Sequence, residues 1–373
     1  MTAGGDRRPS RAHVVVAHDY LTQRGGAERV ALALHDAFPG APLRTSIVNA
    51  RTTFHEVAGR PVQQTWLGRV PFFREDPRRA FLLLAPVHSL GQRVRADVVV
   101  CSSSGWAHGV RTDAPKVIYC HNPPRWLYQP DDYLRGVPSA MRPVIRALSP
   151  ALRAWDRRQA RSAACYLANS SAVRERIRAA YGLEATVVHP PRGLDPEGPD
   201  EPVPGVQPGF LLHVGRPRPY KNADAVCRAV AAVPGARLVC VGGTPDPPRG
   251  ERWPERITSL TDLTDAQLRW LYRSCSALVA LSHEDFGLTP VEAYAFGKPA
   301  LVLRAGGYLD STVEGVTGVF VDDLDVATVV EGLHRLQRTR FDPEVIRRHG
   351  ERFSPLAFKA AVEAVVADVL APS

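Results

Sequence analysis

The sequence has little of what marks membrane-spanning, disulfide-bonded or metal-binding proteins. Its 373 residues contain no apolar run that approaches the roughly 20 residues of a membrane-spanning helix. The six cysteines lie mostly in apolar patterns and no two have metal-ligand spacing, so we expect buried thiols in a reducing compartment. No cluster of acids and histidines has the spacing of a divalent-cation site. With no signal peptide before the first strand pattern, these absences predict a cytoplasmic protein that needs no metal or other cofactor.

Lysine is also nearly absent, with 4 residues against 43 arginines. Residues 1–195 hold 28 basic and 15 acidic residues, a net charge of +13, whereas residues 196–373 hold 19 and 23, a net charge of −4. The basic half suits an acidic partner such as a membrane surface, a lipid-linked diphosphate or nucleic acid. A genome composition that favours arginine codons explains the same excess, and both readings stay open. Because no stretch resembles a nucleic-acid-binding module, we do not expect binding to nucleic acid.

Aromatic residues and arginines alternate between residues 66 and 84. Trp66, Phe72 and Phe73 are interspersed with Arg69 and Arg74. This pattern suits a peripheral contact with the inner face of the membrane. The alternative is a loop and helix that pack on the first sheet with their arginines outward.

The length and the alternation of apolar strands with helical patterns predict two α/β domains with parallel sheets. Residues 196–208 are rich in proline, glycine and acids and are predicted to be a linker. The expected domains are residues 1–195, completed by a final helix within 355–373, and residues 209–354. Strand patterns lie near residues 13–17, 96–101, 116–120, 165–168, 186–189, 210–214, 237–241, 277–281, 300–303 and 318–321.

Two glutamates eight residues apart, Glu284 and Glu292, bracket the most informative segment. A buried strand pattern precedes Glu284, and a helical pattern begins on Pro290 and stops at Gly297. The loop between them presents backbone N–H groups at the positive end of a helix, where phosphate binds readily. Each glutamate can accept hydroxyl hydrogen bonds from a polyol, so the ligand is expected to carry phosphate and sugar hydroxyls. The loop consists of Phe286, Gly287, Leu288 and Thr289.

Two further segments carry groups suited to a phosphorylated ligand. Arg216 and Lys221 follow an apolar strand pattern that ends in a glycine. Together they can neutralise a diphosphate as negative charge builds on a leaving group. Near the N-terminus, Asp19 follows another strand, and Gly25 and Gly26 precede a helix, which allows the backbone to approach a ligand closely.

Short motifs recur in a fixed order over nearly the whole chain. They are Gly25–Arg29, Tyr119–Arg125, Ala168–Ser170, His189–Pro191 with Asp195, Val214–Arg216 with Lys221 and Asn222, Glu284–Glu292, and Gly306–Gly307 with Gly315–Gly318. Any one of them arises often by chance, but the ordered set is specific. It resembles the retaining glycosyltransferases of family 4. The resemblance implies an α/β structure of the GT-B type, in which two Rossmann-like domains with parallel sheets face each other across a cleft.

The resemblance also implies roles for the residues that match. Arg216 and Lys221 would hold the diphosphate of a nucleotide sugar, which is a co-substrate, and would stabilise the leaving phosphate. Glu284 and His121 would orient the donor sugar. Glu292 would bind the ribose hydroxyls. The backbone N–H groups of the 286–289 loop and Gly26 would help Arg216 and Lys221 to hold the diphosphate.

The base of the nucleotide is expected against residues 257–260, where Ser259 and Leu260 align with the family's base-contacting strand end. Asp19, with His18, is expected to line the acceptor side. The segments around His121 and Glu284 look most like bacterial mannosyltransferases, whose donor is usually GDP-mannose. Two positions depart from the family pattern: Pro217 lies in a proline-rich turn, and Asp310 replaces the more frequent glutamate.

The function expected from the sequence is therefore metal-independent transfer of a hexose to a hydroxyl of a glycan, a lipid-linked carrier or a secondary metabolite. A UDP-sugar donor is one alternative, since guanine and uracil are usually read by backbone groups. A sugar-nucleotide epimerase or hydrolase with the same fold is the other, because it would keep the phosphate site.

Overall fold

The computed structural model describes residues 12–129, 142–216, 218–247 and 252–371, and for residues 77, 78, 81 and 82 it describes the backbone alone. The described chain divides into two compact units. The N-terminal unit comprises residues up to Asn169, Val173–Val188 and those from Lys359 onward. The C-terminal unit comprises Ser170–Ala172 and His189–Phe358. The domain boundaries drawn from the sequence stay predictions.

Short apolar strands form the sheet of the N-terminal unit. They are Val14–His18 (β1), Leu43–Thr45 (β2), Val62–Gln64 (β3), Val98–Ser103 (β4), Lys116–Cys120 (β5), Cys165–Ala168 (β6) and Thr186–Val187 (β7). Every residue of β1, β4 and β5 is buried, as is typical of a parallel sheet covered on both faces. Within the described ranges the sheet has seven parallel strands in the order β3-β2-β1-β4-β5-β6-β7.

The C-terminal unit repeats this architecture. Its strands are Leu211–Val214 (β8), Leu238–Val241 (β9), Ile257–Leu260 (β10), Ala277–Ala280 (β11), Ala300–Leu303 (β12) and Gly318–Val321 (β13). In the described part of this unit they pair in parallel in the order β10-β9-β8-β11-β12-β13. The strand order reverses between β1 and β4 in one sheet and between β8 and β11 in the other. The carboxyl ends of strands at such switch points form the ligand-binding crevices of α/β sheets.

Helices connect the strands. In the N-terminal part they are Gly26–Ala37 (α1), Pro71–Glu75 (α2), Phe81–Leu90 (α3), Arg125–Tyr128 (α4), Arg142–Arg161 (α5) and Ser171–Tyr181 (α6). In the C-terminal part they are Ala223–Ala232 (α7), Asp265–Ser274 (α8), Leu288–Ala295 (α9), Tyr308–Ser311 (α10), Val326–Arg338 (α11), Pro343–Gly350 (α12) and Pro355–Leu370 (α13).

The predicted α/β class with parallel sheets is confirmed. Strands β5, β6, β12 and β13 have the predicted bounds, but β2 and β3 were not predicted. Each of these two strands has three residues, and β3 is a partly exposed edge strand, so neither has a distinctive apolar run. The predicted start of α9 at Pro290 was wrong, because the helix begins at Leu288. A proline fits the first turn, where the N–H groups need no helical partner.

The predicted linker is attached to helix α8 of the C-terminal unit. Arg269 Nη1 donates to the carbonyl oxygen of Pro199 at 3.0 Å, and the side chain of Arg273 pairs with Asp200. The N–H of Glu201 also donates to the carbonyl oxygen of Ala266. The segment thus has an ordered course along this helix.

The arginine- and aromatic-rich segment 66–84 is partly packed and partly exposed. Leu67 and Leu84 are buried in a cluster with Trp106 and Trp126. Trp66 and Phe72 are more than half exposed. The segment therefore has the exposed aromatic side chains that suit a membrane contact, and also the buried side chains expected of a packed loop and helix. None of the helices in the described residues is long and apolar enough to cross a membrane.

Candidate functional site

A lysine–glutamate pair lies at the switch point of the C-terminal sheet. Lys221 follows β8 and Glu284 follows β11, and Lys221 Nζ donates to Glu284 Oε1 at 2.6 Å. The two side chains remain 21% and 18% exposed. Asn222 fixes the neighbouring backbone, because its Nδ2 donates to the carbonyl oxygen of Leu281 at 2.8 Å. Asn222 adopts the left-handed conformation with φ of 52°, which asparagine tolerates better than most residues.

The loop after Glu284 is held in place by close backbone packing. The N–H of Gly307 donates to the carbonyl oxygen of Glu284 at 3.1 Å. A Cβ atom on Gly307 would lie 2.2 Å from the Cα of Phe286, and one on Gly287 would lie 2.2 Å from a ring carbon of Tyr308. Gly287 also has a φ of +88°, so a side chain there would be strained as well as crowded. This packing fixes the start of α9.

The N-terminus of α9 presents the backbone groups expected to meet an anion. Leu288 and Thr289 lie in its first turn rather than in the preceding loop. The side chain of Phe286 is buried and stacks on the His189 ring with centroids 5.3 Å apart, so it fixes the loop. The first N–H groups of a helix have no partner within the helix and can therefore donate to a ligand.

Glu292 lies within α9 and contacts a buried tyrosine. Its Oε2 accepts a hydrogen bond from Tyr272 Oη at 2.7 Å. Burial and the neighbouring Glu292 carboxylate raise the pKa of Tyr272 well above its ordinary value, so the phenol stays a donor. Tyr272 in turn stacks on Phe296, with 8° between the ring planes. Glu292 is thus oriented by a rigid neighbour.

The ends of β8 and β9 approach each other closely. A Cβ atom on Gly242 would lie 2.4 Å from the carbonyl oxygen of Gly215, and Gly242 has a φ of +96°. Arg216, the next residue after Gly215, is exposed. Ser259 and Leu260 end β10 at the sheet edge, and Ser259 Oγ accepts from the Thr244 N–H at 3.0 Å.

His213 in β8 is a buried histidine that the sequence did not single out. Its Nδ1 lies 3.0 Å from the carbonyl oxygen of Val279, which assigns the proton to Nδ1. Burial lowers the pKa of His213, and the charge of Lys221 lowers it further. The ring is therefore neutral, and its Nε2 lies near Gly215.

At the switch point of the N-terminal sheet, polar side chains bond to one another. Ser102 Oγ lies 3.0 Å from His18 Nδ1 and 2.8 Å from His121 Nε2. Asn169 Nδ2 donates to the carbonyl oxygen of His121 at 3.0 Å. His18, Ser102 and His121 are all buried. These hydrogen bonds connect the carboxyl ends of β1, β4 and β5.

Asp19 has a different environment from the one its sequence position suggested. Its carboxylate accepts backbone hydrogen bonds from Ser104 at 2.6 Å, Trp106 at 2.9 Å and Ala107 at 2.7 Å. The residue is 3% exposed. This geometry gives Asp19 a positioning role for the 104–107 segment, and its contact with an acceptor stays a prediction.

Gly25 and Gly26 were predicted to precede a helix, and Gly26 is instead the first residue of α1. Gly25 is the N-cap, and a Cβ atom there would lie 2.4 Å from Glu28 Oε2. Gly26 is exposed. The backbone of this turn is therefore open to a ligand.

The predicted catalytic residues lie at or near the two switch points, whereas Ser259 and Leu260 lie at the edge strand β10. His121 and Asp19 lie with His18 in the N-terminal unit, at or just after the carboxyl ends of β5 and β1. Lys221 and Glu284 are in direct contact in the C-terminal unit, and Glu292 lies on the helix that follows. Sequence reasoning missed the supporting residues Ser102, His213, Tyr272 and Tyr308. Only one of these residues had a sign in the sequence, because Tyr308 directly follows the Gly306–Gly307 motif. Asp310 accepts a hydrogen bond from the Ser171 N–H, and Pro217 lies outside the described residues.

In the part of the chain that the structure describes, no group of three or more histidines, cysteines, aspartates or glutamates could hold a metal ion. Five of the six cysteines are buried, Cys165 is half-buried, and all six are free thiols. Metal independence and the lack of a cofactor stay predictions.

Comparison with known proteins shows the family. A family profile described as "Glycosyltransferase Family 4" matches residues 24–197, and one described as "Glycosyl transferases group 1" matches residues 199–352. The chain belongs to this glycosyltransferase family. Among similar curated proteins is the D-inositol 3-phosphate glycosyltransferase of Mycobacterium tuberculosis, 31% identical over 164 residues. That alignment spans 39% of this chain and 34% of the relative, about a third of its length.

Solved structures show that the glycosyltransferase chain has the predicted GT-B fold. Anabaena Alr3699/HepE, solved with UDP and glucose, has a TM-score of 0.69 and 18% identity, with 95% of this chain and 99% of that chain covered. Sucrose-phosphate synthase from Thermosynechococcus elongatus has a TM-score of 0.66 and 16% identity, with 97% of this chain and 100% of that chain covered. At these identities the likeness shows the fold alone.

Proposed function

We propose that the chain transfers a hexosyl group from a nucleoside diphosphate sugar to an acceptor hydroxyl, with retention at the anomeric carbon. The observation that carries the proposal is the contact between Lys221 Nζ and Glu284 Oε1 at the switch point of the C-terminal sheet. A diphosphate is a stronger partner for the ammonium than one partly buried carboxylate. When Lys221 turns to the diphosphate, Glu284 becomes available to the hydroxyls of the sugar.

The bond between the anomeric carbon and the diphosphate oxygen breaks, and the bond to the acceptor oxygen forms on the same face. The departing phosphate oxygen takes the acceptor proton, so no dedicated base is required. Arg216 and Lys221 stabilise the negative charge that develops on the phosphate, together with the first N–H groups of α9 and that of Gly26. Glu292 binds the ribose hydroxyls, and His121 with Glu284 orients the hexose.

The proposed donor is GDP-mannose, and a UDP-hexose is the alternative. The resemblance of the segments around His121 and Glu284 to mannosyltransferases favours GDP. The solved neighbours bound to UDP share the fold at low identity, which leaves the base open. In this proposal the base lies against Ser259 and Leu260 at the edge strand β10.

The test is turnover of GDP-mannose and UDP-glucose with and without an acceptor. The name of the mycobacterial relatives supplies one acceptor to try, D-inositol 3-phosphate, and alkyl mannosides supply another. We expect nucleoside diphosphate release that depends on the acceptor, with an α-linked product in the NMR spectrum. Steady release of nucleoside diphosphate, or an epimerised sugar, from donor alone would instead support the hydrolase or epimerase.

A peripheral membrane contact is proposed for the segment around residues 66–84. Trp66 and Phe72 are more than half exposed, and Arg79 lies over the Phe72 ring at 4.6 Å. Cosedimentation with anionic vesicles tests this contact. We expect Trp66→Ser with Phe72→Ser to reduce binding, while Leu356→Ser, which changes an exposed leucine in the C-terminal unit, leaves it unchanged.

A further inference from the structure

A second polar cavity lies in the N-terminal unit, apart from its switch point. Its volume is about 490 Å³, within the range of small-molecule sites. Residues 109–116, the end of α5 and the following turn line most of it. Lining residues 114–116 and 162–164 lie at or before the starts of β5 and β6, so the cavity is at the amino ends of these strands. His121 follows the carboxyl end of β5, which is five residues long, so about 15 Å of strand separates the two places.

A buried lysine belongs to the cavity lining. Lys116 is 5% exposed, and its Nζ donates to the carbonyl oxygen of His108 at 2.7 Å. Among the described residues, no carboxylate forms an ion pair with Lys116. Burial lowers the pKa of this ammonium, opposed only by the thiol of Cys101. An ammonium has three donors, and a buried cation with one neutral acceptor is costly. An anion in the cavity would remove that cost.

The cavity lining carries more positive than negative charge. Arg111 and Arg158 line the cavity and are exposed. The one acid in the lining, Asp113, pairs with Arg93, which lies outside it. The lining thus holds three cations, on Arg111, Lys116 and Arg158, against this one carboxylate. The remaining polar side chains are hydroxyls and an amide, on Ser89, Thr112, Gln159 and Ser162.

We propose that this cavity is a second anion site, which binds the phosphate of a small phosphorylated polyol such as a sugar phosphate. Lys116 and Arg158 bind the phosphate, and the hydroxyl and amide groups bind the hydroxyls of the polyol. The site is distinct from the proposed diphosphate site, which uses Arg216 and Lys221 of the other unit. Free inorganic phosphate shares the chemistry of the phosphate group but lacks the hydroxyls.

Hydrogen exchange on the full chain tests the proposal. The probes are inorganic phosphate, glucose 6-phosphate and glucose, each added in the presence of saturating GDP and UDP so that the nucleotide site is occupied. We expect glucose 6-phosphate to protect residues 109–116 and 158–164, with inorganic phosphate weaker and glucose without effect. Protection confined to residues 215–221, or no protection, would overturn the proposal.

Matched variants locate the binding. Arg158→Gln is expected to weaken glucose 6-phosphate binding at least about tenfold, or roughly 1.4 kcal/mol. Arg161→Gln changes an exposed arginine three residues along the same helix that does not line the cavity, so it should leave binding unchanged. Lys116→Met should abolish protection. If that variant does not fold, the two exposed arginines still decide the matter, and equal affinity in both would refute the site.

Discussion

The two switch points of the molecule have the same position in their sheets but opposite chemistry. In the N-terminal unit, His18 and Ser102 are 2% and 0% exposed and form a hydrogen bond within a buried polar network. In the C-terminal unit, Lys221 and Glu284 form a charged pair in which each side chain remains about one-fifth exposed. Breaking the buried network leaves unsatisfied polar groups, whereas the lysine–glutamate pair is partly in contact with solvent, which can replace a partner when the pair separates. Strand order thus puts both groups of side chains at the switch points of their sheets. The difference in burial is the reason we propose the C-terminal switch point as the one that binds a charged ligand reversibly.

The comparison predicts its largest effect at the charged switch point. Lys221→Ala and Glu292→Ala are each expected to lower kcat/KM by about 10² or more, because each removes a preorganised electrostatic or hydrogen-bonding group. Steady-state kinetics with saturating acceptor measure the change.

The control for charge removal is Lys359→Ala, which changes an exposed lysine on helix α13 that pairs with Glu363. Its kinetics should match those of the unmodified chain. Near-normal turnover in well-folded Lys221→Ala and Glu292→Ala would show that the charged switch point is not the donor site.

The N-terminal unit should respond to acid through its buried histidines. Burial lowers the pKa of His88 to about 4, opposed by Asp19 and reinforced by His108, Arg44 and His18. Below its ordinary pKa of about 6.5 the unfolded chain binds the proton and the folded chain does not, so stability falls as the pH drops from 6.5 towards 4. At pH 5 the expected loss is about 2 kcal/mol relative to pH 7.

Urea unfolding at pH 7 and pH 5 measures this loss in the free energy of unfolding. His88→Leu should reduce the difference between the two pH values, whatever its effect at pH 7. His55→Gln, which changes a histidine with an 84% exposed side chain in the same unit, should retain it. An unchanged difference in His88→Leu would assign the acid sensitivity to other groups.

Much of the fold and part of the candidate site could be predicted from the sequence. The strands before Glu284 and Arg216 have apolar runs, which predict buried strands. The loops after these strands carry several charged residues close together, which indicates binding of a ligand rather than packing. The supporting residues were less visible. Ser102 and Tyr272 act through contacts with His121 and Glu292 that are far apart in sequence, and hydroxyl residues occur in every loop.

The start of α9 shows the same limit on a smaller scale. The left-handed backbone of Gly287 and its packing against Tyr308 set the first turn. A prediction that takes Pro290 as the first helical residue relies on local sequence and does not include this tertiary contact. The three-residue strands β2 and β3 were missed because their pairing partners, not their composition, make them strands.

A smaller effect is expected for the choice of donor at the charged switch point. Both GDP and UDP offer the same diphosphate to Arg216 and Lys221, so the two differ only in contacts of the base near Ser259. We expect GDP to bind at least about tenfold more tightly than UDP, or roughly 1.4 kcal/mol. Calorimetry on the full chain measures both constants. Equal or tighter binding of UDP would reject the mannosyltransferase interpretation and keep the glycosyltransferase proposal.

The smallest effect is expected from chelation, where we predict no change in the rate. The proposal assigns neutralisation of the leaving diphosphate to Arg216, Lys221 and the first N–H groups of α9, and these donors stay in place whatever the concentration of divalent ions. Turnover in excess EDTA should therefore equal turnover in added magnesium. A fall in EDTA that magnesium or manganese restores would show that the fixed cations are insufficient. The contrast between the two switch points would then rest on a bound ion as well as on the lysine–glutamate pair.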